Sequence, residues 1–108
     1  MNEDGKVWFP CPYLETDVVL TLERRTHILE EHPEILRQSD ALIASTLLDP
    51  EQIRLRPTGS LLFVARGKSL YVIVAVNKLK REQIYKVMTA YFTRRLSRED
   101  QVLWERSK

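Results

Sequence analysis

The chain holds two histidines, His27 and His32, both within residues 20–35, LTLERRTHILEEHPEI. An imidazole titrates near neutral pH, so either ring could serve as base or acid in phosphodiester chemistry. On a helix, a five-residue separation turns the two rings about 140° apart, so they cannot share a metal ion as an i, i+4 pair does. Helical spacing puts Arg24, His27 and Glu31 on one face and Arg25 and His32 on another. The plainer alternative for either histidine is a hydrogen bond to a nearby backbone carbonyl.

A second set of reactive side chains lies in residues 84–93, IYKVMTAYFT. Read as a strand, this segment alternates, with Tyr85, Val87, Thr89, Tyr91 and Thr93 on one face and Ile84, Lys86, Met88, Ala90 and Phe92 on the other. The hydroxyls of Thr89, Tyr91 and Thr93 could hold a phosphate, although Thr and Tyr also favour a solvated strand face. Arg66, Lys68, Arg94 and Arg95 fall at predicted strand ends or turns, where cations could meet charge developing on a phosphate. Lys78, with Lys80 and Arg81, suits the steering of a nucleic-acid backbone. Cys11 sits between Pro10 and Pro12 with no basic neighbour nearer than Lys6, and reads as structural. One cysteine builds neither an intrachain disulfide nor a Cys-based zinc site, and three scattered glycines build no phosphate-binding loop. No metal and no cofactor are expected.

The elements that must position these groups follow from pattern. Residues 1–17, with Pro10, Pro12 and three aromatics, read as an extended arm, and residues 18–108 as a single domain. Val18-Val19-Leu20 suits a short strand, and Thr21 an N-cap for a helix that Pro33 ends. Ser39 or Asp40 could cap a second helix ending at Asp49-Pro50. The apolar period then changes to two: strands are predicted around 53–56, 61–66, 70–76 and 84–93, separated by turns. Ser97, followed by Glu99 and Asp100, predicts a final helix. The expected fold is α+β, with N-terminal helices packed on a four-stranded antiparallel sheet, a C-terminal helix, and the other sheet face left free.

The 108 residues are 44% hydrophobic and 30% charged, a globular composition for one small domain. No apolar run is long enough to span a bilayer, and MNEDGK lacks a signal-peptide pattern, so a cytoplasmic location is expected. Charge is uneven: residues 1–53 hold four basic and eleven acidic groups, net −7, and residues 54–108 hold thirteen and four, net +9. Such asymmetry fits either nucleic-acid contact or pairing of the two halves across the surface.

In combination, T-x-E-R-x-x-H-I-L-x-x-H-P (residues 21–33), TLLDPEQI (46–53), LLFVARGKSLYVIVAV (61–76) and VMTAYFTRR (87–95) resemble the phage-associated nucleases grouped with barnase, EndoU, colicin and RelE-type ribonucleases. The resemblance runs from about Cys11 to Arg95. It implies a barnase- or RelE-like fold that cleaves RNA without metal, the 2′-OH attacking the adjacent phosphate. It implies catalytic roles for Arg24, His27, Arg66, Thr89, Tyr91 and Thr93, with His32 and Lys68 at the substrate; Lys78, Arg94 and Arg95 are read as further substrate contacts from their charge and position alone. His27 is read as the base or acid and His32 as a helix fastener, two roles that could be exchanged. The implied partners are RNA and, for a toxin, an inhibitor or antitoxin protein. A non-catalytic module binding RNA or protein through the same face is the competing class.

Overall fold

The computed structural model describes residues 5–107, apart from the side chains of residues 36–39, where the candidate cap Ser39 falls. The elements are β1 (Val7–Cys11), β2 (Thr16–Leu20), α1 (Leu22–Glu31), α2 (Ser39–Leu48), β3 (Gln52–Leu55), β4 (Leu61–Arg66), β5 (Tyr71–Leu79), β6 (Ile84–Thr93) and β7 (Gln101–Glu105). The strands form one sheet in the order β1-β2-β6-β5-β4-β3-β7. Neighbours run antiparallel, except β2 and β6, which run parallel.

This corrects the expected four-stranded antiparallel sheet with a C-terminal helix. Residues 7–20 supply two further strands: Val7, Trp8 and Phe9 pair with Leu20, Val19 and Val18. The link between them is a 3-10 turn begun by Pro12 and closed at Glu15, which adopts φ 57° and whose N–H donates to the Pro12 carbonyl at 3.0 Å. At the other end, Gln101–Glu105 pairs with the open edge of β3 as strand β7. The β3 edge offers Gln101–Glu105 backbone partners, and Val102, Leu103 and Trp104 suit a strand.

Both predicted N-terminal helices are present. The Thr21 hydroxyl accepts the Arg24 backbone N–H at 3.2 Å, and α1 ends at His32, before Pro33. The main core lies between the helices and one sheet face: Ile28, Ile43 and Leu47 pack with Phe9, Val18, Leu20, Ile53, Phe63, Val74, Val76 and Ala90. The opposite face carries a smaller buried cluster of Leu62, Val64, Ile73 and Ala75.

Strict alternation along β6 fails at one residue. Thr89 pairs with Ala75 and Val87 with Val76, so Met88 is an extra residue in a bulge. The bulge shifts the phase. Val87 and Tyr85 join the helix-side core with Ala90 and Phe92, while Thr89, Tyr91 and Thr93 stay on the opposite face.

The parallel β2–β6 pairing spans only Val18↔Tyr85 and Val19↔Lys86. Beyond Leu20 the chain turns into α1, which runs beside β6 where a strand would otherwise lie. There the Arg24 guanidinium donates Nε and Nη2 to the Met88 carbonyl at 2.9 and 2.6 Å. One cation thus satisfies the bulge carbonyl and ties the helix to the strand edge. Arg24→Met is expected to lower unfolding free energy by about 1.5–3 kcal/mol, the range for hydrogen bonds from a charged donor. Urea denaturation of the variant checks this, and a change below about 0.5 kcal/mol would show the contact to be dispensable.

Candidate functional site

The smaller cluster is roofed by long polar side chains, so this sheet face is less open than the sequence suggests. Arg54 donates Nε to Gln52 Oε1 and Nη1 to the Ser97 carbonyl, both at 2.9 Å, and its guanidinium lies 3.9 Å from Asp100. These contacts draw residues 94–100 across the sheet, where Leu96 packs on the cluster. The aliphatic stems of such arginines cover apolar surface while their heads reach polar partners.

Arg56 follows β3 and enters a tight turn. Its N–H donates to the Ser60 carbonyl and its carbonyl accepts from Gly59, where φ is 100° and a side chain would be strained. From this anchor Arg56 Nη2 donates to the Tyr91 phenol oxygen. On the α1 side, the His32 ring stacks on Tyr91 with centroids 5.3 Å apart and planes inclined by 29°. A Glu34 carboxylate oxygen lies 3.5 Å from His32 Nδ1. Helix geometry explains the meeting: from Arg24 to His32 the helix advances about 12 Å, close to the three strand residues from Met88 to Tyr91.

Beside this trio is a cavity of about 90 Å³ lined by Arg56, Tyr91, Thr93, Arg95, Ser97 and Asp100, with Leu62 and Ile73 at its floor. Tyr91 Oη accepts from Arg56, which leaves the phenol proton free to donate to a ligand. Thr93 Oγ1 donates to the Arg95 carbonyl at 3.0 Å and accepts the Arg95 N–H at 3.4 Å, fixing the backbone that carries the Arg95 cation. A second concavity, of about 220 Å³, lies at the β4–β5 turn and is lined by Arg66, Lys68, Ser69, Tyr71 and Arg94. The cross-strand partners Tyr71 and Thr93 join the two, Tyr71 lining one and Thr93 the other.

The structure therefore stacks His32 on Tyr91, which lines one cavity with Thr93 and Arg95, and gathers Arg66, Lys68 and Arg94 at the other. Arg24 is engaged with Met88. His27, half-buried one turn after Arg24, makes no hydrogen bond, ion pair or ring contact among the described residues. Lys78 stands at the far end of β5, its ammonium 5.7 Å from the centroid of Tyr85. Arg56 and Glu34 are additional members of the site. Arg56 is visible as part of the Arg54/Arg56 alternation, but its partner Tyr91 is 35 residues away, and only the strand order brings them together.

Cys11 is 2% exposed, and burial pushes its thiol above the usual range, which agrees with a packing role. Among the described residues no group of three or more His, Cys, Asp and Glu could hold a metal ion, and no helix is long and apolar enough to cross a membrane. No protein-family model, curated protein or solved structure matches the chain.

Thr89 faces the same side as Tyr91, yet its hydroxyl oxygen is buried and lacks a hydrogen-bond partner. An unpaired buried hydroxyl costs about 1–3 kcal/mol, so Thr89→Val, which keeps shape and strand preference, is expected to stabilise the fold by about 1 kcal/mol. A rise in thermal midpoint checks this. Destabilisation by a similar amount would reveal a hydroxyl contact that matters.

Proposed function

We propose that the protein is an endoribonuclease that cleaves RNA without a metal ion, and that the chemistry is centred on His32, Tyr91 and Arg56. The observation that carries the reading is the His32–Tyr91 stack, with Arg56 on the phenol oxygen at the edge of a small cavity. The negative charge of Glu34, 3.5 Å from His32 Nδ1, favours a proton on that nitrogen and leaves Nε2 as the acceptor. That nitrogen takes the proton of the ribose 2′-OH, whose oxygen bonds to phosphorus. The bond from phosphorus to the 5′-oxygen breaks as that oxygen takes a proton from water, leaving a 2′,3′-cyclic phosphate and a 5′-hydroxyl. Arg56, Arg95 and the Tyr91 hydroxyl are placed to stabilise the negative charge that builds on the phosphorane oxygens.

The site also fits binding without cleavage, since cations and a stacked aromatic pair hold single-stranded RNA by themselves. The stacked histidine beside a carboxylate favours the catalytic reading, because binding needs no base.

Single-turnover cleavage of a single-stranded RNA separates these cases. His32→Ala is expected to lose about a hundredfold or more in rate, the scale of general acid–base catalysis, and His27→Ala no more than about tenfold. Tyr91→Phe is expected to fall between them. Equal loss in both histidine variants would spread the role over both rings, and full activity of His32→Ala would remove this centre from the mechanism.

A further inference from the structure

We infer that the concavity at the β4–β5 turn is a separate phosphate subsite, which holds a backbone phosphate of the RNA flanking the bond cleaved beside Tyr91. The identity of the ligand rests on the proposed action on RNA; the anion site itself rests on geometry. Arg66, Lys68 and Arg94 line one cavity of about 220 Å³ with no carboxylate in its lining. None of the three forms an ion pair among the described residues, and the Arg66 guanidinium lies over the Tyr71 ring, 5.9 Å from its centroid. Three cations of the basic half lie beside acids, Arg54 near Asp100, Lys86 near Glu23, and Arg106 near Asp49 and Glu51, whereas Arg66, Lys68 and Arg94 share a concavity that holds no carboxylate. Like charges gathered round one concavity repel each other, and a bound anion relieves that repulsion.

The turn itself is shaped for the purpose. Gly67 donates its N–H to the Leu70 carbonyl at 2.8 Å, and a Cβ on Gly67 would stand 2.9 Å from that same oxygen. The tight closure keeps Arg66 and Lys68 on either side of a glycine, facing Arg94 across the strand ends. The register Arg66↔Tyr71↔Thr93 sets Arg66 about two strand spacings, roughly 10 Å, from Thr93 at the rim of the other cavity. A strand of RNA crossing the sheet ends would meet one pocket and then the other. Arg66 accordingly holds a flanking phosphate and does not act at the reacting one.

The test measures binding of a single-stranded DNA oligonucleotide, which lacks the 2′-OH and cannot be cleaved, by fluorescence anisotropy over a range of salt. Replacing Arg66, Lys68 and Arg94 together by Gln is expected to weaken binding about ten- to a hundredfold at low salt. It is also expected to reduce the slope of log affinity against log salt by about 0.7, the value of one single-strand phosphate. Removing equal charge at the far end, with Lys78, Lys80 and Arg81 replaced by Gln, is expected to change the slope by less than half as much. An unchanged slope in the first variant, or equal changes in the two, would overturn the subsite. Displacement of the oligonucleotide by inorganic phosphate or a mononucleotide at comparable concentration would make the pocket a small-anion site and overturn its assignment to RNA. Because the probe reports binding alone, a protein that fails to cleave RNA yet shows the expected slope would lose the catalytic reading and keep the subsite.

Discussion

The Arg24 guanidinium on the Met88 carbonyl joins the two parts of the molecule on which the site depends. Parallel pairing of β2 with β6 lasts two residues, and the exposed edge beyond it would leave backbone groups without partners. The chain covers that edge with α1, whose register against β6 is set by Arg24. One helical length further on, His32 arrives over Tyr91. The bulge at Met88 contributes twice, since it supplies the carbonyl that Arg24 grips and keeps Thr89, Tyr91 and Thr93 on the face opposite the helices. A single extra residue in one strand therefore decides both where the helix docks and which hydroxyls share a face with Arg56.

The second sheet face shows how charge is partitioned. Of the positive residues after position 53, Lys86 and Arg106 pair with acids of the first half, and Arg54 is held by residues 97 and 100. Such pairs have structural work: Arg54 and Arg106 lash the C-terminal segment and β7 to the rest of the sheet, with Arg106 Nη2 also donating to the Asp49 carbonyl at 2.9 Å. Arg66, Lys68 and Arg94 stand apart from this network. Surface pairing of the two halves thus accounts for Lys86 and Arg106, and the anionic partner proposed above is assigned to Arg66, Lys68 and Arg94.

Much of the local structure was legible in the sequence. Thr21 and Pro33 bound α1, and the period-two runs of residues 61–66 and 84–93 coincide with β4 and β6. Local signals did not extend to partners. Gln101–Glu105 follows a sequence that looks like a helix start, and the open edge of β3 recruits it as a strand. Residues 7–17 look like an arm because Pro10 and Pro12 interrupt them, but Pro12 makes the turn that lets β1 pair with the strand at 16–20. The bulge at Met88 has no marker in the alternating residues around it. For the site, Tyr91, Thr93, His32 and Arg95 could be singled out by type, whereas Arg56 could not be assigned to Tyr91 without knowing that β3, β4, β5 and β6 are neighbours in order.

The proposed chemistry requires the imidazole stacked on Tyr91 to remove a proton from a ribose hydroxyl. The most direct measurement incubates the protein in EDTA with two otherwise identical RNA strands, one carrying a single 2′-deoxy nucleotide at the mapped cut, and identifies the ends of the products. The account predicts 2′,3′-cyclic phosphate and 5′-hydroxyl ends from the all-ribose strand, and loss of that cut in the deoxy strand. Cleavage that persists at the deoxy position, or ends carrying a 5′-phosphate, would contradict it.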